Sequence, residues 1–121
     1  MRTLKFRAWN RDEMEYIEDM YWFEENYYHS TDYNGGDILM QFTGLHDKNG
    51  IPIYEGDIID ILLRFYDCES FEMAVIEFRS GAFWFDAKQV GYVDCNWHHY
   101  NESDRQVIGN IYENPELLKE S

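Results

Sequence analysis

The residues best equipped for chemistry are few and scattered. Cys95 is preceded by Asp94 and followed by His98 and His99, with His29 elsewhere in the chain. Thiolate and imidazole are zinc ligands, but a structural zinc site takes four of them in paired spacings. Here one cysteine meets an adjacent histidine pair, whose side chains point to opposite faces if the segment is a strand. Ordinary surface histidines are the favoured reading; a metal-dependent or thiol enzyme built on Cys95, His98 and His99 is the minor one. Cys68 sits between Asp67 and Glu69, whose negative charge opposes thiolate formation. Asp47-Lys48-Asn49-Gly50 opens like a calcium loop, but the glycine comes too early and the closing bidentate Glu is missing. There is no Gly-x-Ser-x-Gly elbow and no Gly-rich phosphate loop. No catalytic, cofactor-binding or metal-binding residue is therefore assigned, no cofactor is expected, and the chain is expected not to be an enzyme.

A second group of residues has the types that hold proteins together. Arg7 lies on the more polar face of an alternating segment, and Asp57 follows Gly56 in a tight turn. Arginine forms planar bidentate bonds to carboxylates. Arg7, Asp57 and Gln41 are accordingly read as buried, paired groups that set how the N-terminal part packs on the rest. Arg7 as a ligand anchor is the functional alternative. Tyr21, Trp22, Phe23, Tyr27 and Tyr28 form an aromatic cluster. Aromatics among basic residues would stack on nucleic-acid bases, but Asp19, Glu24 and Glu25 carry the wrong sign. Core packing is the first reading of the cluster, and a protein-binding or self-association surface the second. The structural or candidate interaction residues are thus Arg7, Trp9, Trp22, Tyr27, Gln41 and Asp57.

The elements that position these groups must come from a chain of 121 residues, which is the size of one domain, here 1–121. Its aromatic content of 18% supplies core material and argues against disorder. Two distant cysteines argue against a disulfide-stapled secreted domain. Charges interrupt every apolar stretch, so neither a signal-peptide core nor a membrane span is read, and a cytoplasmic protein is expected. The formal net charge of −14 opposes direct binding to nucleic acid or to anionic membrane. It chiefly serves solubility. Its sharper reading is an acidic decoy that occupies a host nucleic-acid-binding protein.

Period-two alternation is the dominant pattern. Leu4, Phe6 and Ala8 alternate with Lys5, Arg7 and Trp9; the polar Asn10–Glu13 turn then leads to a return strand at Met14–Ile17. Ser30 to Asp37 contains Gly35-Gly36 and reads as a loop. A strand is expected over Ile38–Gly44, and Asn49-Gly50 marks a hairpin turn into Ile51–Tyr54. Glu55-Gly56-Asp57 turns the chain into Ile58–Tyr66, with Ile59, Ile61, Leu63 and Phe65 on one face. Phe71–Phe78 is apolar on both faces, as in a central strand or an assembly surface. Arg79-Ser80-Gly81 turns it into Ala82–Phe85, and Val107–Tyr112 is the last strand. Asn114, Pro115 and Glu116 read as the start of a short helix. The expected fold is mostly β. It has an N-terminal hairpin extension (about 1–45), a small bent antiparallel barrel of the Src-homology-3 kind (about 46–121) and a short C-terminal helix.

Three stretches carry a family resemblance. Lys5-Phe6-Arg7-Ala8-Trp9 with Met14, the run from Gln41 through Gly50 into Ile53-Tyr54-Glu55-Gly56-Asp57-Ile58-Ile59, and Val107 through Leu118 occur in this order. Together they resemble the YopX family over nearly the whole chain. Asn10 stands where that family usually has an acid, and Phe42 where Tyr is common. The resemblance implies a mostly-β protein encoded by phages or prophages, acting in the bacterial host cell, with no established activity. With the aromatic surplus and the two-faced apolar strand, the expected role is a non-catalytic protein-interaction or self-assembling module. Its partner would be itself, as a homo-oligomer, or a host protein.

Overall fold

Asn10 makes the first turn: its Oδ1 accepts the N–H groups of Asp12 (3.0 Å) and Glu13 (2.9 Å), and Arg11 takes a positive φ of 83°. The computed structural model describes residues 5–17, 38–64, 67–87, 91–94 and 101–119. Among them, the Asn10 turn joins β1 (Phe6–Trp9) to β2 (Met14–Ile17). Next come β3 (Ile38–His46), β4 (Pro52–Tyr54), β5 (Asp57–Arg64), β6 (Glu69–Arg79), β7 (Ala82–Ala87), β8 (Gly91–Asp94) and β9 (Arg105–Asn110). The aromatic cluster with Trp22 and Tyr27, the loop from Ser30 and the Cys95–His99 group lie outside the described residues.

The strands form two antiparallel sheets, ordered β2-β1-β3-β4 and β8-β7-β6-β5-β9. Local chemistry explains the turns. Asp47 Oδ1 accepts from Asn49 N–H (2.8 Å) and Ile51 N–H (2.9 Å), while Gly50 takes φ 79°, closing the β3–β4 hairpin. Ser80 and Gly81, at φ 51° and 82°, supply the two positive φ values of the tight β6–β7 turn. In the second sheet Ile59, Ile61 and Leu63 of β5 face the same side as Ala74 and Ile76 of β6 and Phe83 and Phe85 of β7. Ile53 of β4 joins them in one buried cluster, so the β3–β4 hairpin lies over this face. Each large apolar side chain fully buried there contributes roughly 1.5–3 kcal/mol.

The two-faced apolar strand, β6, is central, flanked by β5 and β7. Ala74 and Ile76 enter the core while Val75 is buried on the opposite face. The mostly-β fold with an N-terminal hairpin is as expected, and two features differ. Among the described residues the sheets do not close into a barrel. Along β9, where a closing strand would pair, Val107 N–H donates to Asp47 Oδ2 (2.9 Å) and Asn110 N–H to Asn114 Oδ1 (3.1 Å). Side-chain caps thus occupy that edge. Strand β3 continues to His46 and pairs with β4. The C-terminal helix is a four-residue 3-10 turn, Pro115–Leu118. Asn114 does not cap it, because its side chain is turned back to Asn110. One strand, β8, was not anticipated by pattern. Among the described residues, no helix is long and apolar enough to cross a membrane.

Candidate functional site

Strands β1 and β3 lie in register, with Arg7 opposite Met40, which turns Arg7 toward the second sheet. Its Nη2 lies 2.8 Å from Asp57 Oδ1 and donates to the Glu55 carbonyl at 2.9 Å. The guanidinium carbon sits 4.8 Å from the centre of the Tyr54 ring, a cation–π contact. Asp57 Oδ2 accepts the Tyr54 N–H at 2.8 Å. Both side chains are buried, and Arg7 Nε has no hydrogen-bond partner among the described residues. Burial pushes the Asp57 carboxyl above its ordinary range, while Arg7 and the Tyr54 N–H pull it back. Both oxygens of Asp57 are engaged within the protein, so this pair is equipped to hold structure rather than to exchange protons with a ligand.

The link Tyr54–Asp57 is tied on every side. Glu55 N–H donates to the Gln41 carbonyl, and Gln41 N–H donates to Glu55 Oε1. Gln41 therefore takes part through its backbone. Gly56 N–H donates to Ile76 O, and Ile111 N–H donates to Gly56 O, both at 2.9 Å. Gly56 takes φ 82°, and a Cβ there would lie 3.2 Å from Met40 Sδ, so glycine suits both the angle and the space. Trp9 stacks on Tyr112, with centroids 5.8 Å apart, which brings the C-terminal segment against β1. Burial raises the hydroxyls of Tyr54 and Tyr112 above their usual range.

Above this junction an open groove of about 500 Å³ runs between the sheets. Its lining comes from Ile38–Met40 of β3, Val75–Phe78 of β6, Gly56 before β5, and Tyr112 and Leu118 of the C-terminal segment. Ile38, Leu39 and Phe78 stay 42%, 44% and 48% exposed. Glu55 and Glu77 are among the residues that line it. The volume falls within the range of ligand-binding clefts, roughly 300–1,000 Å³.

The structure therefore brings Arg7, Asp57, Trp9 and the Gln41 backbone to one junction beneath the groove. Trp22 and Tyr27 lie outside the described residues, as do Cys95, His98 and His99. Among the described residues no cluster of three metal-ligating side chains occurs, and Cys68 is exposed.

Two groups have tertiary roles that the sequence did not indicate. Asp47 is fully buried and joins its own hairpin turn to β9. Its sequence signal, Asp-x-Asn-Gly, announces the turn but not the distant partner. Asp104 forms a bidentate pair with Arg64 at 2.7 and 2.9 Å, anchoring the 3-10 turn Glu102–Asp104 to β5. Abundant carboxylates hide such a pair from sequence.

The family model described as YopX protein matches residues 5–119. The chain belongs to the YopX family. Two solved structures share its fold along almost their whole length. Protein EF1440 from Enterococcus faecalis is 25% identical, covers 98% of this chain and 99% of its own, and superposes with a TM-score of 0.59. Protein YopX from Bacillus subtilis is 21% identical, covers 97% and 98%, and also gives 0.59. No curated protein matches the chain at a significant level. The Arg7, Trp9, Gly56 and Asp57 junction is built from the first two of the three stretches that carry the YopX resemblance, and Tyr112 comes from the third.

Proposed function

We propose that this YopX-family protein is a non-catalytic protein-interaction module that receives a segment of another polypeptide in the groove between its sheets. The groove carries the reading. Ile38, Leu39 and Phe78 are held at one opening by two different sheets and remain substantially in solvent. Grouped exposed apolar side chains mark interaction surfaces, whereas scattered ones do not. The setting proposed is a phage- or prophage-encoded protein acting on a host protein in the bacterial cytoplasm. Self-assembly is the second reading, and β6 favours it. Phe71 and Phe78, both exposed, alternate to opposite faces of that central strand.

Site-directed photo-crosslinking in bacterial cells tests both. A benzophenone amino acid is placed at Phe78, at Phe71 and at the exposed, remote Glu102. The groove reading expects adducts with another polypeptide at 78 but not at 102, lost when Leu39→Asp is added. Adducts between two copies of the chain establish the second reading instead. Adducts that ignore position and survive Leu39→Asp refute the groove as a docking site.

A further inference from the structure

We infer that the groove takes its occupant as an added β-strand: an extended segment of a different polypeptide, apolar at alternate positions and without Asp or Glu, hydrogen-bonded to β3 on one side and β6 on the other. This rests on the reading of the groove as a docking site and names the mode and chemistry of docking. Backbone direction carries it. Along a strand, successive residues turn their N–H and C=O groups to opposite edges. Phe42 N–H donates to Lys5 O toward β1, while Gln41 exchanges hydrogen bonds with Glu55 on the other edge. Leu39 faces the same edge as Gln41, but β4 pairs with β3 only between Phe42 and His46. In β6, Ile76 O accepts the Gly56 N–H, and the ladder with β5 ends at the Ile58–Val75 pair. Phe78 faces the same edge as Ile76. Among the described residues neither Leu39 nor Phe78 has a backbone partner on that edge, and both line the groove.

The link between the sheets sets the width. At Glu55-Gly56 one thickness of chain is bonded to Gln41 O at 3.0 Å and to Ile76 O at 2.9 Å. An extended segment in the groove takes the place that this link leaves open on β3 and β6. Its cross-strand neighbours are the half-exposed Leu39 and Phe78, which favour β-branched or aromatic residues opposite them. Charge selects the partner. Glu55 lines the groove with one carboxylate oxygen held by the Gln41 N–H, and the chain carries −14. An acidic segment is repelled, and a second copy of the chain brings the same charge to the contact; a basic or uncharged segment of another protein fits. Open strand edges are ordinarily covered or blunted. Asp47 and Asn114 blunt β9 by taking the Val107 and Asn110 N–H groups, whereas the edges at Leu39 and Phe78 carry no such cap among the described residues.

The full chain is tested with a labelled seven-residue peptide, Lys-Val-Thr-Val-Thr-Val-Lys, by fluorescence anisotropy and amide hydrogen exchange. Binding should slow exchange at Leu39 and Phe78 by at least about tenfold and leave Met40, already paired with Arg7, unchanged. N-methylation of the Val amides removes the donors on one edge of the peptide, and of the Thr amides those on the other. Either set should weaken binding by at least about tenfold. Glu in place of both Lys residues should weaken it as much. Leu39→Ser, which keeps the edge N–H, should weaken it by about fivefold, and Phe71→Ser, outside the groove, by less than about twofold. If neither methylated set loses affinity while Leu39→Ser does, docking stands and strand addition falls. Loss from one set alone means pairing to a single sheet and overturns the bridge. Equal binding of the Glu peptide overturns the charge preference. Leu39 and Phe78 amides already protected in a dimer without peptide would put a second copy on these edges and overturn the inference. Absence of binding at about 1 mM peptide overturns it too. Binding that ignores both methylation and Leu39→Ser overturns the groove reading as well.

Discussion

Arg7 and Asp57 form a buried ion pair at 2.8 Å that joins β1 of the first sheet to the start of β5 in the second. Asp57 is also bound by the Tyr54 N–H, and Arg7 by the Glu55 carbonyl, so each charge has a second partner. Such pairs are costly to break from one side, because the remaining charge stays buried without compensation. Arg7→Ala is expected to destabilise the fold by about 3–5 kcal/mol, lowering the thermal midpoint by about 10–20 °C. Asp57→Asn, which keeps an acceptor for Tyr54, should cost less. The double variant should cost clearly less than the sum of the two, as a double-mutant cycle by urea unfolding would show. An additive cycle would mean that the two side chains do not couple.

Asp47 is expected to be a second point of failure. Its buried carboxylate serves Asn49, Ile51 and Val107 N–H groups at once, tying the β3–β4 hairpin to β9. Asp47→Ala leaves three donors without their acceptor and should destabilise by about 3 kcal/mol. Hydrogen exchange should accelerate most at Val107, where the lost bond is the long-range one; uniform acceleration would contradict a local clamp.

The pH dependence follows from carboxyls shifted in opposite directions. Burial raises Asp47, but the N–H groups of Val107, Ile51 and Asn49 and the charge of Arg105 outweigh it, and its carboxyl lies below the ordinary range. Hydrogen bonds from Arg64 lower Asp104, with burial opposing. A lowered group adds stability that is present above its unfolded pKa, about 3.9, and is lost as pH falls through the folded value. Asp57, raised, has the opposite sign: its contribution is present at low pH and lost as pH rises through its folded value. Asp104→Asn should therefore be less stable than the parent at pH 7, with a flatter decline below about pH 5. Asp57→Asn should make that decline steeper. Urea midpoints measured from pH 3 to pH 7 distinguish the two slopes.

Gly109 is held by a close approach rather than by its backbone angles. A Cβ there would lie 2.6 Å from Asn114 Oδ1 and 3.0 Å from Asn114 Cβ. Asn114 cannot retreat without releasing the Asn110 N–H. Gly109→Ala should cost about 1–3 kcal/mol, and much less in an Asn114→Gly background. An equal cost in both backgrounds would place the strain elsewhere.

Much of this protein was legible one segment at a time. The Asn10 turn, the Asp47–Gly50 hairpin, the Ser80-Gly81 turn and the alternation of Ile59, Ile61 and Leu63 follow from φ preferences, short-range side-chain acceptors and period-two burial. All of these act within a few residues, so the sequence determined them. It also determined the family, because the three stretches are continuous in the chain. The 3-10 turn at Pro115 was misread as a helix for a tertiary reason: the capping side chain at Asn114 is drawn away to the end of β9. Barrel closure failed for the same kind of reason, since the side chains of Asp47 and Asn114 took the β9 edge.

Arg7 and Asp57 were recognisable as residue types that pair, but nothing in one strand says which distant carboxylate its arginine will reach. Asp47 and Val107 are sixty positions apart, and their bond exists only once the hairpin lies along β9. The groove is the extreme case. Ile38 and Leu39 come from one sheet and Phe78 from the other. Taken singly they are ordinary exposed apolar residues; they share one opening only because the linked, paired and buried junction below sets the two sheets against each other.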